Sequence, residues 1–178
     1  MIARRAEELA PFMVMEVLER AREMERQGKD IIHLEVGEPD FSVPSAVKKA
    51  TCRALEEGAT HYTHSLGDIE LREAICEHYL GAYGVEIKPE QVVVTSGTSP
   101  AMMLAFAVLL ERGEEVIISD PGYACYPNFI RFLGGVPARV PVYEQDGFQY
   151  KVEAINERIS QKTKAILINS PSNPTGCL

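Results

Sequence analysis

Residues 164–169 (KAILIN), followed at once by Ser170-Pro171-Ser172-Asn173-Pro174-Thr175-Gly176, decide the fold. A short apolar, β-branched run between turn formers reads as a buried strand, and the rigid Asn-Pro turn behind it sits at the strand's carboxyl end. In open α/β sheets, ligands bind in the crevice outside the carboxyl ends of the strands. The turn is therefore a candidate wall of a ligand site. The same residues also suit a plain surface turn in which Asn173 caps its own backbone.

Upstream of this run the pattern is regular. Residues 91–95 (QVVVT), 115–119 (EVIIS) and 136–142 read as strands, and 99–111, 123–133 and 151–160 as the helices between them. Such alternation defines an α/β fold with a parallel sheet. Nearer the N-terminus, residues 11–27 place Met13, Val17, Ala21 and Met24 on one helical face, and Gly28 supplies the stop. A short strand is expected at 31–36 (IIHLEV) and a helix at 44–57. After a polar loop at 61–67, a further helix turns Leu71, Ile75 and Tyr79 inward. A domain boundary falls near residue 45, with residues 1–45 forming an N-terminal arm and 46–178 the layered core.

Composition narrows the function. The chain of 178 residues is 46% hydrophobic and 25% charged, which is ordinary for a globular protein. Its 26 acids outnumber 18 Lys and Arg, for a formal charge of −8. Nucleic-acid and membrane-surface binders need a basic patch, so neither partner is expected and a small molecule is. Cys52, Cys76, Cys125 and Cys177 form no C-x-x-C pair, so no metal site or redox motif is indicated and all four read as reduced thiols. His61 and His64 flank Tyr62, but no further ligand cluster accompanies them and a polar loop is the better reading. No stretch reaches the roughly 18 apolar residues of a membrane span, and the start has no signal-peptide core, so cytoplasm is the expected compartment.

Two more turns follow strands. Thr95-Ser96-Gly97-Thr98-Ser99-Pro100 joins a strand to a helix, and its free N–H groups, helix dipole and hydroxyls suit an anion such as a phosphate. An ordinary N-cap turn would have the same composition. It matches neither G-x-x-x-x-G-K-[ST] nor G-x-G-x-x-G. Asp120-Pro121-Gly122-Tyr123 places an aromatic ring where it could cover a flat ligand, or simply pack.

Taken in order, 34–41 (LEVGEPDF), 61–75 (HYTHSLGDIELREAI), 92–102 (VVVTSGTSPAM), 113–126 (GEEVIISDPGYACY) and 164–176 (KAILINSPSNPTG) resemble the class I/II aminotransferases of the pyridoxal-phosphate fold type I superfamily. The resemblance covers essentially the whole chain. It implies a three-layer α/β/α cofactor-binding large domain, of which 46–178 would be the first part, preceded by an arm and small-domain segment at 1–45. It also implies pyridoxal 5'-phosphate as cofactor, amino acid and 2-oxo acid substrates, and a homodimer. Ser96, Gly97 and Thr98 would hold the cofactor phosphate, Tyr123 would stack on the pyridine ring and Asn173 would hydrogen-bond its phenolic oxygen. Gly37 would let the backbone approach the substrate carboxylate, and Tyr62 would reach the phosphate in the neighbouring subunit. Cis peptides are common in the family before the prolines matching Pro121 and Pro174, and one is expected at least at Asn173-Pro174.

The resemblance also implies an incompleteness. In these enzymes the catalytic, Schiff-base lysine stands in a serine-rich motif downstream of the Asn-Pro turn. Lys29, Lys48, Lys49, Lys88, Lys151, Lys162 and Lys164 have no such setting and read as solvated surface residues. The catalytic residue is therefore expected beyond Leu178, the chain is expected to be inactive alone, and its uncovered apolar faces are expected to make it unstable or make it associate. Alternative functions compatible with the same motifs are a carbon–sulfur lyase, an aminocyclopropane-carboxylate synthase-like enzyme, or a non-catalytic effector domain.

Overall fold

The structure is a computed structural model and describes residues 2–7 and 9–178, apart from the side chains of Arg4 and Arg5. In chain order the elements are α1 (Arg4–Glu7), α2 (Met13–Arg26), α3 (Ser45–Glu56), α4 (Ile69–Tyr83), α5 (Thr98–Leu109), β1 (Glu115–Asp120), α6 (Tyr126–Phe132), β2 (Val136–Pro141), α7 (Val152–Asn156) and β3 (Thr163–Ile166). They fall into two compact units, one made of the chain up to Glu35 together with Ser99–Leu178, the other of Val36–Thr98.

The first unit is built on a parallel sheet of order β2-β1-β3. Its central strand explains the sequence run EVIISD: Val116, Ile117 and Ile118 are all buried, as a strand covered on both faces requires. Val116 and Ile118 join Phe106 of α5, Leu110 directly after that helix and Ile130 of α6 in the core, with Ala165 and Leu167 packed against it. On the opposite face lie Ile117 and, in register beside it, Ala138 and Ile166. By alternation Ile168 belongs to that face too, and it is 76% exposed. The turn between α6 and β2 needs Gly135, where a Cβ would meet Ile130 Cγ2 and Leu110 Cδ1, each at 3.0 Å.

The expected strand at 164–169 forms its ladder over β3, and the Leu167 N–H extends it by donating to Ile117 O at 2.9 Å. Two other expected strands do not form. Ile31–Val36 has strand-like alternation but no ladder partner among the described residues, and Ile32 and Leu34 stand in solvent. An isolated extended segment has no way to satisfy its backbone as a strand. Here the segment is tied down by His33, which bridges Glu25 at the end of α2 (2.9 Å) and Glu35 (2.6 Å).

The second failure lies in the second unit. Residues 91–95 begin extended, with Val92 at φ −107° and ψ 125°, yet Val94 donates to Leu66 O of a loop rather than to a strand. The inward face assigned to α4 also needs correction. Leu71 and Tyr79 are exposed, Ile75 is half-buried, and the side chain this helix buries is Arg72.

The first unit's stability should respond most to its central strand. Ile117→Ala removes a wholly buried side chain and is expected to destabilise that unit by about 2–5 kcal/mol, against less than about 1 kcal/mol for Ile168→Ala. Denaturant melts of the two variants measure the difference, and equal costs would contradict the burial asymmetry.

Candidate functional site

Because β1 and β3 are parallel neighbours, with Ile117 beside Ile166, the loops that follow them leave the same edge of the sheet. One loop carries Tyr123 and the other Asn173. The first begins with a cis peptide at Asp120-Pro121 and turns at Gly122, whose missing Cβ would stand 2.7 Å from Ser119 O and 2.8 Å from Ser119 Oγ. Only glycine allows the chain to fold back on the strand end this closely.

Tyr123 is therefore in the turn before α6, not in its first turn as the sequence pattern suggested. Its ring is fixed edge-on by Tyr126 (centroids 5.2 Å apart) and by Phe12 (6.4 Å). Its phenol is pushed up to about 12, first by a hydrogen bond with the Cys125 thiol, then by burial and the neighbouring Cys125 and Tyr126 groups. Burial likewise raises Tyr126. A cleft of about 300 Å³ opens beside Tyr123, lined among others by Pro11, Ser119, Gly122 and Arg139. Arg139 Nη1 lies 3.1 Å from Asp120 Oδ2, so Asp120 is paired at the end of β1.

The Asn173 turn is held from several sides. The peptides Ser170-Pro171 and Asn173-Pro174 are cis, the second as expected and the first in addition. The Gly176 N–H donates to Ser172 O at 2.7 Å and the Ser172 N–H to Cys177 O at 2.8 Å, which closes the turn on itself. With its amide oriented to satisfy both ends, Asn169 donates to Pro171 O and accepts from the Asn173 N–H at 3.0 Å. Tyr150, its phenol raised by burial against the opposing effect of a hydrogen bond from Ser119, donates to Leu167 O at 3.2 Å. Gln149 Nε2 donates to Leu178 O. The side-chain amide of Asn173 has no hydrogen-bond partner among the described residues.

In the second unit, Ser96 and Gly97 form the bend that leads into Thr98 at the head of α5. Gly97 has φ +133°, a conformation other residues rarely adopt, and nothing lies within 4 Å of where its Cβ would be. Thr95 Oγ1 donates to Gly97 O at 2.7 Å and so engages the loop's own carbonyl. The N–H groups of a helix's first turn have no intrahelical acceptor, and the first turn of α5 carries no acidic residue. An open glycine bend before a helix whose first turn carries no acid is an arrangement that could hold an anion. Tyr62 stands in the 61–67 loop with its ring wholly in solvent, and Gly37 lies in an open stretch with nothing within 4 Å of a built Cβ.

Of the sequence-derived residues, Ser96, Gly97 and Thr98 are contiguous at one helix head, and Tyr123 and Asn173 share one sheet edge. The supports of these residues were not read from the sequence. Tyr126, three residues after Tyr123, was the visible signal for the aromatic cluster, whereas Phe12 and Arg139 come from distant elements that no local pattern links to it.

Comparison with known proteins agrees with this architecture. Residues 29–178 match the family described as Aminotransferase class I and II, and the chain belongs to that family. It is 45% identical over 163 residues to an aspartate aminotransferase of Pyrococcus horikoshii, an alignment spanning 92% of this chain and 41% of the relative. It is 43% identical over 176 residues to a (5-formylfuran-3-yl)methyl phosphate transaminase of Methanocaldococcus jannaschii, spanning 99% and 45%. Among solved structures, aspartate aminotransferase from Thermus thermophilus with maleate superposes with a TM-score of 0.94 at 38% identity, over 98% of this chain and 46% of the other. The chain thus spans less than half the length of these relatives. Among the described residues, no helix is long and apolar enough to cross a membrane.

Tyr123 offers a pH test. Its folded pKa lies above the ordinary 10, so the interactions holding the neutral phenol stabilise the fold fully below pH 10 and are lost as pH rises from 10 towards 12. Tyrosinate absorbance during alkaline titration should lose its latest step, towards pH 12, in Tyr123→Phe. If Tyr123→Phe removes a step near pH 10 instead, the described environment is wrong.

Proposed function

We propose that this chain is the N-terminal portion of a pyridoxal-phosphate-dependent aminotransferase that moves an amino group between an amino acid and a 2-oxo acid. The observation that carries this reading is the pair of proline turns leaving one edge of the parallel sheet, bearing Tyr123 and Asn173, in a chain of the class I and II aminotransferase family. In the whole enzyme, residues 1–45 would serve as arm and small-domain segment, and 46–178 as the first part of the cofactor-binding domain. The enzyme would be a cytoplasmic homodimer.

The residues divide the work of holding the cofactor. Ser96 and Thr98 hydroxyls, with the N–H groups around Gly97, would bind the phosphate, a task suited to a helix head without acids. The Tyr123 ring would cover the pyridine face, and its fixed edge-on neighbours limit the entropy lost on stacking. The Asn173 amide would donate to the ring's phenolic oxygen. Gly37 would admit the substrate carboxylate to the backbone, and Tyr62, free in solvent, would reach the phosphate held by the partner subunit. When bound, the cofactor supplies an electron sink for charge developing at the amino-acid α-carbon. The proton-transferring lysine would be none of those at positions 29, 48, 49, 88, 151, 162 and 164.

Two measurements test this. Titration of the chain with pyridoxal 5'-phosphate, followed by cofactor absorbance, should show affinity lowered about tenfold or more in the Ser96→Ala/Thr98→Ala double variant, since hydrogen bonds to a charged group are worth about 1.5–3 kcal/mol each. Unchanged affinity would remove the phosphate assignment. The purified chain, given cofactor, amino acid and 2-oxo acid, should show no transamination, and sustained turnover would overturn the exclusion of its own lysines.

A further inference from the structure

Arg72 is 6% exposed and is the one buried charged residue among those described. A guanidinium taken out of water needs a partner, and the usual one is a carboxylate. Arg72 has none among the described residues. Its Nε donates to Gly67 O at 3.0 Å and its Nη1 to Pro89 O at 2.9 Å, so the charge is held by two backbone carbonyls.

Those carbonyls belong to two turns on either side of residues 92–95, the segment that runs into Ser96-Gly97-Thr98. On one side the Gln91 N–H donates to Lys88 O and the Val92 N–H to Pro89 O, which forms the turn whose carbonyl Arg72 holds. On the other, the Val94 N–H donates to Leu66 O at 2.9 Å, one residue before Gly67. Gly67 lies so close to Val94 that a Cβ on it would stand 2.6 Å from Val94 Cβ, and its φ of +99° is a glycine conformation. One side chain therefore fixes both contacts that position the segment. Two residues beyond Val94, with Thr95 Oγ1 holding Gly97 O, begins the bend of Ser96 and Gly97. All these residues lie in the second unit.

We propose that Arg72 is a positioning residue for the cofactor-phosphate loop: its buried fork sets the 64–67 and 88–91 turns and, through the Leu66–Val94 bond, the placement of Ser96 to Thr98. The inference rests on the reading of that loop as the phosphate site. Arg72 does not touch the phosphate and acts through the backbone. Lysine cannot replace it, because an ammonium is a single point on a flexible stem and lacks the planar fork that spans two carbonyls.

The experiment compares wild type, Arg72→Lys and Gly67→Ala, with Arg53→Ala as control, since Arg53 is 73% exposed on α3. Gly67→Ala disturbs the same contact while leaving Arg72 in place, so the idea does not depend on one variant folding. Hydrogen exchange of the ligand-free chain, read by mass spectrometry on the peptide covering 92–98, should be faster by about tenfold in both variants and unchanged in the control. Binding of pyridoxal 5'-phosphate and of pyridoxal, well below the melting temperature, gives the preference due to the phosphate. That preference should fall about tenfold in both variants, with pyridoxal affinity kept. If exchange at 92–98 and the preference both stay at wild-type values while only the melting temperature drops, Arg72 merely stabilises the fold and the proposal is wrong. If wild type itself does not prefer the phosphorylated compound, the phosphate reading fails and this inference falls with it, whereas a wild-type preference that Arg72→Lys retains overturns the inference alone.

Discussion

The parallel pairing of β1 with β2 on one side and β3 on the other is the constraint on which the first unit depends. Parallel strands cannot be joined by a tight turn, so each return requires a crossover, and the crossovers bring α6 and α7 to the sheet. The pairing also decides where chemistry can occur. With Glu115 level with Thr163 and Ile117 with Ile166, the carboxyl ends of β1 and β3 are set side by side, and each is followed by a proline turn. Antiparallel pairing would have sent the two turns to opposite edges. Burial of Val116, Ile117 and Ile118, worth about 1.5–3 kcal/mol each, holds this register.

Much of this was legible in the sequence because it is local. EVIIS announced a strand by its short apolar, β-branched run, and Asp120-Pro121-Gly122 and Ser172-Asn173-Pro174 announced turns by residue type. The motif order gave the family. What failed depended on partners that no window of sequence contains. Residues 31–36 and 91–95 have the composition of strands, but a strand exists only through a neighbour, and among the described residues neither has one. The face of α4 failed similarly: Leu71 and Tyr79 have the right spacing, yet the packed side is the one carrying Arg72, which two carbonyls draw inward.

Glycines differ in this chain by whether the space for a side chain is filled or open. At Gly67, Gly122 and Gly135 the space for a side chain is already filled, by Val94, by Ser119, and by Ile130 and Leu110 respectively. These positions let one piece of backbone lie directly on another. At Gly97 and Gly37 nothing occupies the space. Emptiness beside a glycine is not a site in itself, but at Gly97 it coincides with a φ of +133° and with the free N–H groups of a helix head. There the glycine permits an approach from outside the chain, whereas at Gly122 it permits one from within.

The overall charge of −8 does not oppose this use. A phosphate monoester carries about −1.5 to −2 charges near neutrality, and a uniformly acidic surface would repel it. At physiological ionic strength, however, exposed charges are screened beyond about 8 Å, so distant carboxylates contribute little to the potential at one helix head. What counts is the set of groups within hydrogen-bonding reach of the anion. There the α5 terminus offers a partial positive charge of roughly half a unit, with hydroxyls at Ser96 and Thr98 and no acid in the first turn. An extended polyanion would meet the average field of the surface, while a single phosphate meets only the local one. Net charge therefore bears on what can lie along the whole protein and leaves open what a pocket-sized cluster of donors can hold.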